Sequence, residues 1–105
     1  MKVLTAGHKY ELENFQRNLH ELNQYLQFIQ KEPEAPGSTT LKTVADGTTN
    51  EEVLAVLIDR MQYLQAKFPC RENAIVITKL EECLMWLYKR TADRQARNVE
   101  ATAKP

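Results

Sequence analysis

Arg90, Arg94 and Arg97 stand at spacings of four and three in the stretch YKRTADRQAR, Tyr88 to Arg97. On a helix that spacing sets three guanidinium groups on neighbouring turns of one face. Two kinds of chemistry fit such a row. Cations in the last turns of a helix complement the negative end of its dipole, each contributing about 0.3–1 kcal/mol, and Asp93 is placed to pair with Arg97 four residues on. Guanidinium forks also bind phosphate oxygens bidentately, and forks on successive turns can grip neighbouring phosphate groups. Tyr63 and Trp86 divide in the same way: aromatics at helical positions fill cores, yet either ring could carry a stacked base, worth about 1–3 kcal/mol. Asn73 reads as a local cap or turn residue, or as an amide that hydrogen-bonds a base edge or a ribose hydroxyl.

Catalysis finds little support. His8 and His20 are isolated, no glycine-rich phosphate loop is present, and Glu81 and Glu82 are adjacent, so on a helix their side chains diverge by about 100°. Cys70 and Cys83 have no second pair, which gives neither a zinc cluster nor a disulfide framework. Cys70 has no base near it in sequence to make it a nucleophile, and Cys83, inside an apolar helical pattern, reads as a small core residue. The expectation is a binding protein rather than an enzyme, with no metal and no cofactor.

The elements that position these groups follow from size and punctuation. A chain of 105 residues suits one domain, 1–105, and buries a modest fraction of its surface, so self-association is a common way to gain core. Formal net charge is zero, but Trp86 to Pro105 carries five basic side chains against two acidic ones. An anion site must therefore be local, and a small ligand is expected rather than duplex nucleic acid, which needs a broader basic footprint. The N-terminal MKVLTAG lacks the pattern of a secretion signal, and no apolar run approaches the roughly 18 residues of a membrane span. The reading is a soluble, cytoplasmic protein that does not engage a membrane.

Breaks fall at KEPEAPGST (Lys31 to Thr39), ADGTTN (Ala45 to Asn50) and the FPCREN corner around Pro69. After the second break, Thr48 with Glu51 and Thr49 with Glu52 form overlapping capping boxes. Val53, Leu57, Met61, Leu64 and Phe68 then repeat at helical spacing. Beyond the corner a second helix is expected from about Cys70 to Arg97, with Ile77, Leu80, Leu84 and Leu87 as its main stripe. Val76, Cys83 and Trp86 widen that apolar arc beyond what one partner helix covers, so the second helix is expected to meet another subunit. The hairpin occupies 48–99. The N-terminal part, 8–45, gives two answers: Leu12, Phe15, Leu19, Leu22, Leu26 and Ile29 repeat as in a helix, whereas QYLQFIQ and TTLKTV are strand-like and joined by a turn-forming link. Strands are placed at Gln24–Lys31 and Thr39–Val44, with a short helix before Asn23 as the alternative. The fold class is α+β, antiparallel strands followed by a long two-helix hairpin, in an oligomer.

The run CRENAIVITKLEECLMWLYKRTADRQARNVEAT, Cys70 to Thr102, resembles the helical hairpin module of phage-encoded anti-defence sponges, which include the anti-CBASS and anti-Thoeris sponges. DGTTNEEVLAVLIDRMQYLQAKFP, Asp46 to Pro69, is similar to the first helix of that module. The resemblance implies a protein that sequesters cyclic nucleotide messengers of bacterial immunity in the host cytoplasm without cleaving them. Its ligands would be cyclic di- or trinucleotides or cyclic ADP-ribose isomers, including glyco-cyclic ADP-ribose, held between subunits of a homodimer or homohexamer. It carries an arginine pair that grips cyclic trinucleotides onto Arg90 and Arg94. By spacing, it carries an aromatic and an asparagine of a smaller-ligand pocket onto Tyr63 and Asn73. Arg71, beside the corner, and Arg97, in the arginine row, complete the ligand-binding candidates.

Overall fold

The computed structural model describes residues 1–17 and 22–97. The chain divides into two compact units, Met1–Thr49 and Asn50–Pro105.

The first unit is built from five short strands: β1 (Lys2–Thr5), β2 (Lys9–Leu12), β3 (Gln24–Gln27), β4 (Gln30–Pro33) and β5 (Leu41–Ala45). β1, β2 and β3 form an antiparallel sheet in that order, and β4 and β5 form a separate antiparallel hairpin. Val3 lies opposite Tyr10 and Tyr10 opposite Leu26, so one row of large side chains crosses the three strands. Tyr10 also meets Phe28 edge to face, with ring centroids 6.1 Å apart, an arrangement favoured by the aromatic quadrupole. Tyr25 Oη donates to Glu11 Oε1 at 3.2 Å across β2 and β3. That hydrogen bond to the protonated phenol, reinforced by the carboxylate's charge, holds the Tyr25 pKa above the ordinary tyrosine range. The β4–β5 turn runs through Ala35-Pro36-Gly37-Ser38. Proline presets its second position, and Gly37 supplies a φ of +80° at the third, where a side chain would be strained.

The alternative of a helix before Asn23 is not what the chain forms: Lys9–Leu12 is strand, and Glu13 to Arg17 is loop and turn. Leu19 and His20 lie outside the described residues. The 3.6-residue spacing does not mark one buried helix face: Phe15 and Leu22 are almost fully exposed, while Leu12, Leu26 and Ile29 are half-buried in the strand unit. Pairing to residues distant in sequence decides the local structure instead, as it often does for strands. The single strand expected at Gln24–Lys31 is broken after Gln27. At that break Thr48 N–H donates to the Gln27 carbonyl at 2.8 Å and the Thr48 carbonyl accepts from Ile29 N–H at 2.9 Å. Phe28 N–H donates to the His8 carbonyl at 2.7 Å, which ties the break to β2.

The second unit is an antiparallel hairpin of α1 (Asn50–Lys67) and α2 (Arg71–Ala96). Glu51 and Glu52 occupy the first turn of α1, as the capping-box reading requires of those positions, and favour its positive end. The corner is closed by hydrogen bonds from one side chain: Gln65 Nε2 donates to the Cys70 carbonyl at 3.1 Å and Gln65 Oε1 accepts from Cys70 N–H at 3.0 Å. Cys70, not Asn73, caps α2, its Sγ accepting from Asn73 N–H at 3.4 Å.

Along α2 the half-buried or buried positions are Asn73, Ile77, Leu80, Leu84, Leu87, Thr91 and Arg94, alternating by four and three as in a knobs-into-holes seam. On α1 the half-buried positions are Glu51, Val53, Leu54, Ile58, Met61, Leu64 and Gln65, so Val53, Met61 and Leu64 of the expected stripe are partly covered. Leu57 and Phe68, assigned to the α1 stripe from spacing, are exposed, and Leu54 and Ile58 take the inner positions. Cys83 is likewise exposed rather than a core residue, because it lies on the outer arc of α2 with Val76 and Trp86. No hydrophobic side chain among the described residues is fully buried. Nor is any described helix long and apolar enough to cross a membrane.

Candidate functional site

The seam register divides the arginine row. Arg94 ends the half-buried or buried series of α2 and is 9% exposed, the one buried charged side chain among the described residues. It already has an interaction partner within the protein. Arg90 and Arg97, seven residues and nearly two full turns apart, point from the outer face of α2 and are exposed. They line one groove of about 230 Å³ together with Trp86, Lys89 and Asp93. The groove lies in a single helix: residues 86, 89 or 90, 93 and 97 recur every three or four positions, so an α-helix stacks them on one side.

Asp93 does not take Arg97 as its partner. Its Oδ2 accepts from Lys89 Nζ at 3.1 Å, with both side chains more than half exposed. Lys89 is thereby partly neutralised, while Arg90 and Arg97 are exposed in the same groove. Trp86 is 57% exposed, which favours the platform reading over the core reading for this ring. An exposed aromatic ring in a groove shared with two guanidinium forks further along the helix can stack a base and hold its phosphates at once.

The remaining candidates are dispersed. Arg71 lines a second shallow groove of about 270 Å³ at the opposite end of α2, with Ala74, Ile75, Thr78 and Lys79. Tyr63 is exposed on α1, where Lys67 Nζ sits 4.8 Å from its ring centroid in a cation–π contact. Asn73 belongs to the seam series of α2 and lines neither groove. Within one chain, then, Arg90 and Arg97 come together, and Tyr63, Asn73 and Arg71 do not join them. Lys89 and Asp93 were missed as groove residues, although their spacing from Trp86 carried the signal. Among the described residues no cluster of three or more histidine, cysteine or acidic side chains could hold a metal ion.

A small strand-bearing unit followed by an antiparallel helical hairpin, with a basic groove and an exposed tryptophan near the end of its second helix, defines the class of protein. Residues 27–92 match the family model described as Acb2/Tad1, hairpin domain, and the chain belongs to that family. It is also similar to the protein named Thoeris anti-defense 1 from Bacillus phage SBSphiJ7, with 59% identity over 59 residues. The matched stretch is 55% of this chain and 42% of that relative, so the chain spans less than half the relative's length.

Proposed function

We propose that this protein is a sponge for cyclic nucleotide immune messengers, which it sequesters without cleaving them and so withholds from Thoeris-type or CBASS-type defence in an infected cell. The observation that carries the reading is the groove in which Trp86 lies beside Arg90 and Arg97, on a hairpin of the Acb2/Tad1 family. Cyclic ADP-ribose-type molecules are the first ligands the relative's anti-Thoeris name suggests; cyclic di- and trinucleotides share the same recognition chemistry. Every such ligand offers a base to stack and phosphates to clamp.

Binding would proceed by displacement of water from the indole face and by charge-assisted hydrogen bonds from the two exposed guanidiniums, with Arg94 as a further phosphate contact at the margin. Tyr63, Asn73 and Arg71 would serve a second, smaller pocket completed by another copy of the chain. Assembly is part of the proposal. The outer face of α2 leaves Ile75, Val76, Met85, Trp86 and Tyr88 exposed, and no described apolar side chain is fully buried, so a homodimer or homohexamer would supply the core that one chain lacks. Copies meeting around an axis would also repeat the arginines, raising a modest local excess into a deep anion site.

Calorimetric titration with cyclic di- and trinucleotides and cyclic ADP-ribose isomers tests the function, followed by heat denaturation and chromatography of the released ligand. Tight binding of one class with intact ligand recovered is expected. Altered ligand would reveal an enzyme. No binding across the panel would favour a hairpin that serves oligomerisation or protein docking alone, a role the exposed apolar face of α2 could also fill.

A further inference from the structure

We propose that Asp93 is a selectivity residue of the α2 groove, admitting the singly charged phosphodiesters of a cyclic oligonucleotide and rejecting the doubly charged terminal phosphate of a linear one. The inference rests on the sponge reading and deepens it.

The helix dipole does not favour a carboxylate here. Asp93 lies in the last turn of a helix 26 residues long, close to the negative end of its dipole, where an acidic side chain is disfavoured. Its partner Lys89 precedes it by four residues, the weaker orientation for an ion pair on a helix. The dipole disfavours the carboxylate and the ion pair offsets only part of that cost, yet the carboxylate is held among Lys89, Arg90, Arg97 and Trp86 in a groove otherwise suited to anions. A residue that breaks local rules at a candidate site points to a role in that site.

The charge balance supplies the role. Asp93 at 3.1 Å offsets Lys89, leaving two guanidiniums nearly two turns apart, enough for two phosphodiesters of one negative charge each. A phosphate monoester carries about −1.5 to −2 at neutral pH. Seated in the same groove, a linear dinucleotide with a 5′-phosphate brings an extra negative charge close to the Asp93 carboxylate, which repels it. Cyclisation removes that charge. A stoichiometric sponge working among linear breakdown products gains most from this kind of discrimination, because every site filled by a linear product is lost to the messenger.

The test compares wild type, Asp93→Asn and Arg90→Ala in the full-length chain. Each is titrated with cyclic di-AMP and linear 5′-phosphorylated ApA, and with the corresponding cyclic and linear triadenylates. Wild type is expected to prefer the cyclic forms. Asp93→Asn should narrow that preference about tenfold by tightening the linear forms, the effect of one surface charge at several ångströms, and the narrowing should shrink in high salt. An unchanged cyclic-to-linear ratio in Asp93→Asn overturns the inference. If Arg90→Ala has meanwhile lost both ligands, the sponge reading stands without it. Failure of wild type to bind any cyclic oligoadenylate also overturns the inference, and the sponge reading then rests on the cyclic ADP-ribose titration alone.

Discussion

Gly47→Ala is expected to destabilise the first unit by about 2–4 kcal/mol, the range for a substitution that disrupts two buried-type backbone hydrogen bonds or forces backbone displacement. A Cβ at position 47 would lie 2.5 Å from the Gln27 carbonyl oxygen and 2.6 Å from the Phe28 carbonyl carbon. Both neighbours are main-chain atoms, so no rotamer change relieves the clash. The backbone has to part at the place where Thr48 N–H meets the Gln27 carbonyl and Ile29 N–H meets the Thr48 carbonyl. Those two bonds join the segment after β5 to the junction of β3 and β4, and through Phe28 N–H to the His8 carbonyl they reach β2. Loss of strand signal in circular dichroism at a temperature where α1 and α2 keep their helical signal is the expected observation. The reversed control, Gly7→Ala, meets no atom within 4 Å and costs only the strain of a left-handed backbone at φ +73°. Equal stability losses for the two variants would refute the account of Gly47.

The second large effect separates two arginines that look alike in sequence. Arg90→Ala removes an exposed guanidinium from the groove. It should weaken cyclic nucleotide binding by roughly tenfold to a hundredfold, the loss of one charge-assisted phosphate contact, while the melting temperature stays within a degree or two. Arg94→Ala removes a side chain only 9% exposed. Besides any phosphate contact it should cost about 1–3 kcal/mol of stability from lost packing and from the loss of its existing partner, on the order of 10 °C in a chain this short. Measuring melting and affinity on both variants checks the division. A stable Arg94→Ala protein that has lost its ligand would place Arg94 in the groove with Arg90 and Arg97.

How much of this could be read from residues alone differs between the two units. The hairpin was legible because its information is local. Capping-box acids, a run of apolar residues every three or four positions, and a proline at the corner fixed both helices to within a residue or so. What spacing could not supply was the register between helices. Leu57 and Leu54 are equally apolar, and only the meeting with α2 decides which turns inward. Burial likewise separates Arg94 from Arg90 and Arg97, which stay exposed, so a row read as one face becomes two. The strands were harder, being four or five residues long and paired across gaps in sequence, as Tyr10 is with Leu26. A leucine repeat with helical spacing obscured them. The lysine and aspartate of the groove were visible in principle, but only once Trp86 was recognised as facing outward.

That no apolar side chain among the described residues is fully buried also has a calorimetric consequence. Heat capacity rises on unfolding mainly because apolar surface is wetted, by about 12–15 cal/mol/K per residue in ordinary globular proteins. For 105 residues that amounts to roughly 1.3–1.6 kcal/mol/K. A single chain whose largest apolar groups are half-buried or exposed has little dry surface to surrender, so its stability curve against temperature should be shallow and broad. The denaturant slope, which tracks the same surface, should be small as well. Any steepening of either quantity as the protein is concentrated would count the square ångströms that copies of the chain hide from water in one another.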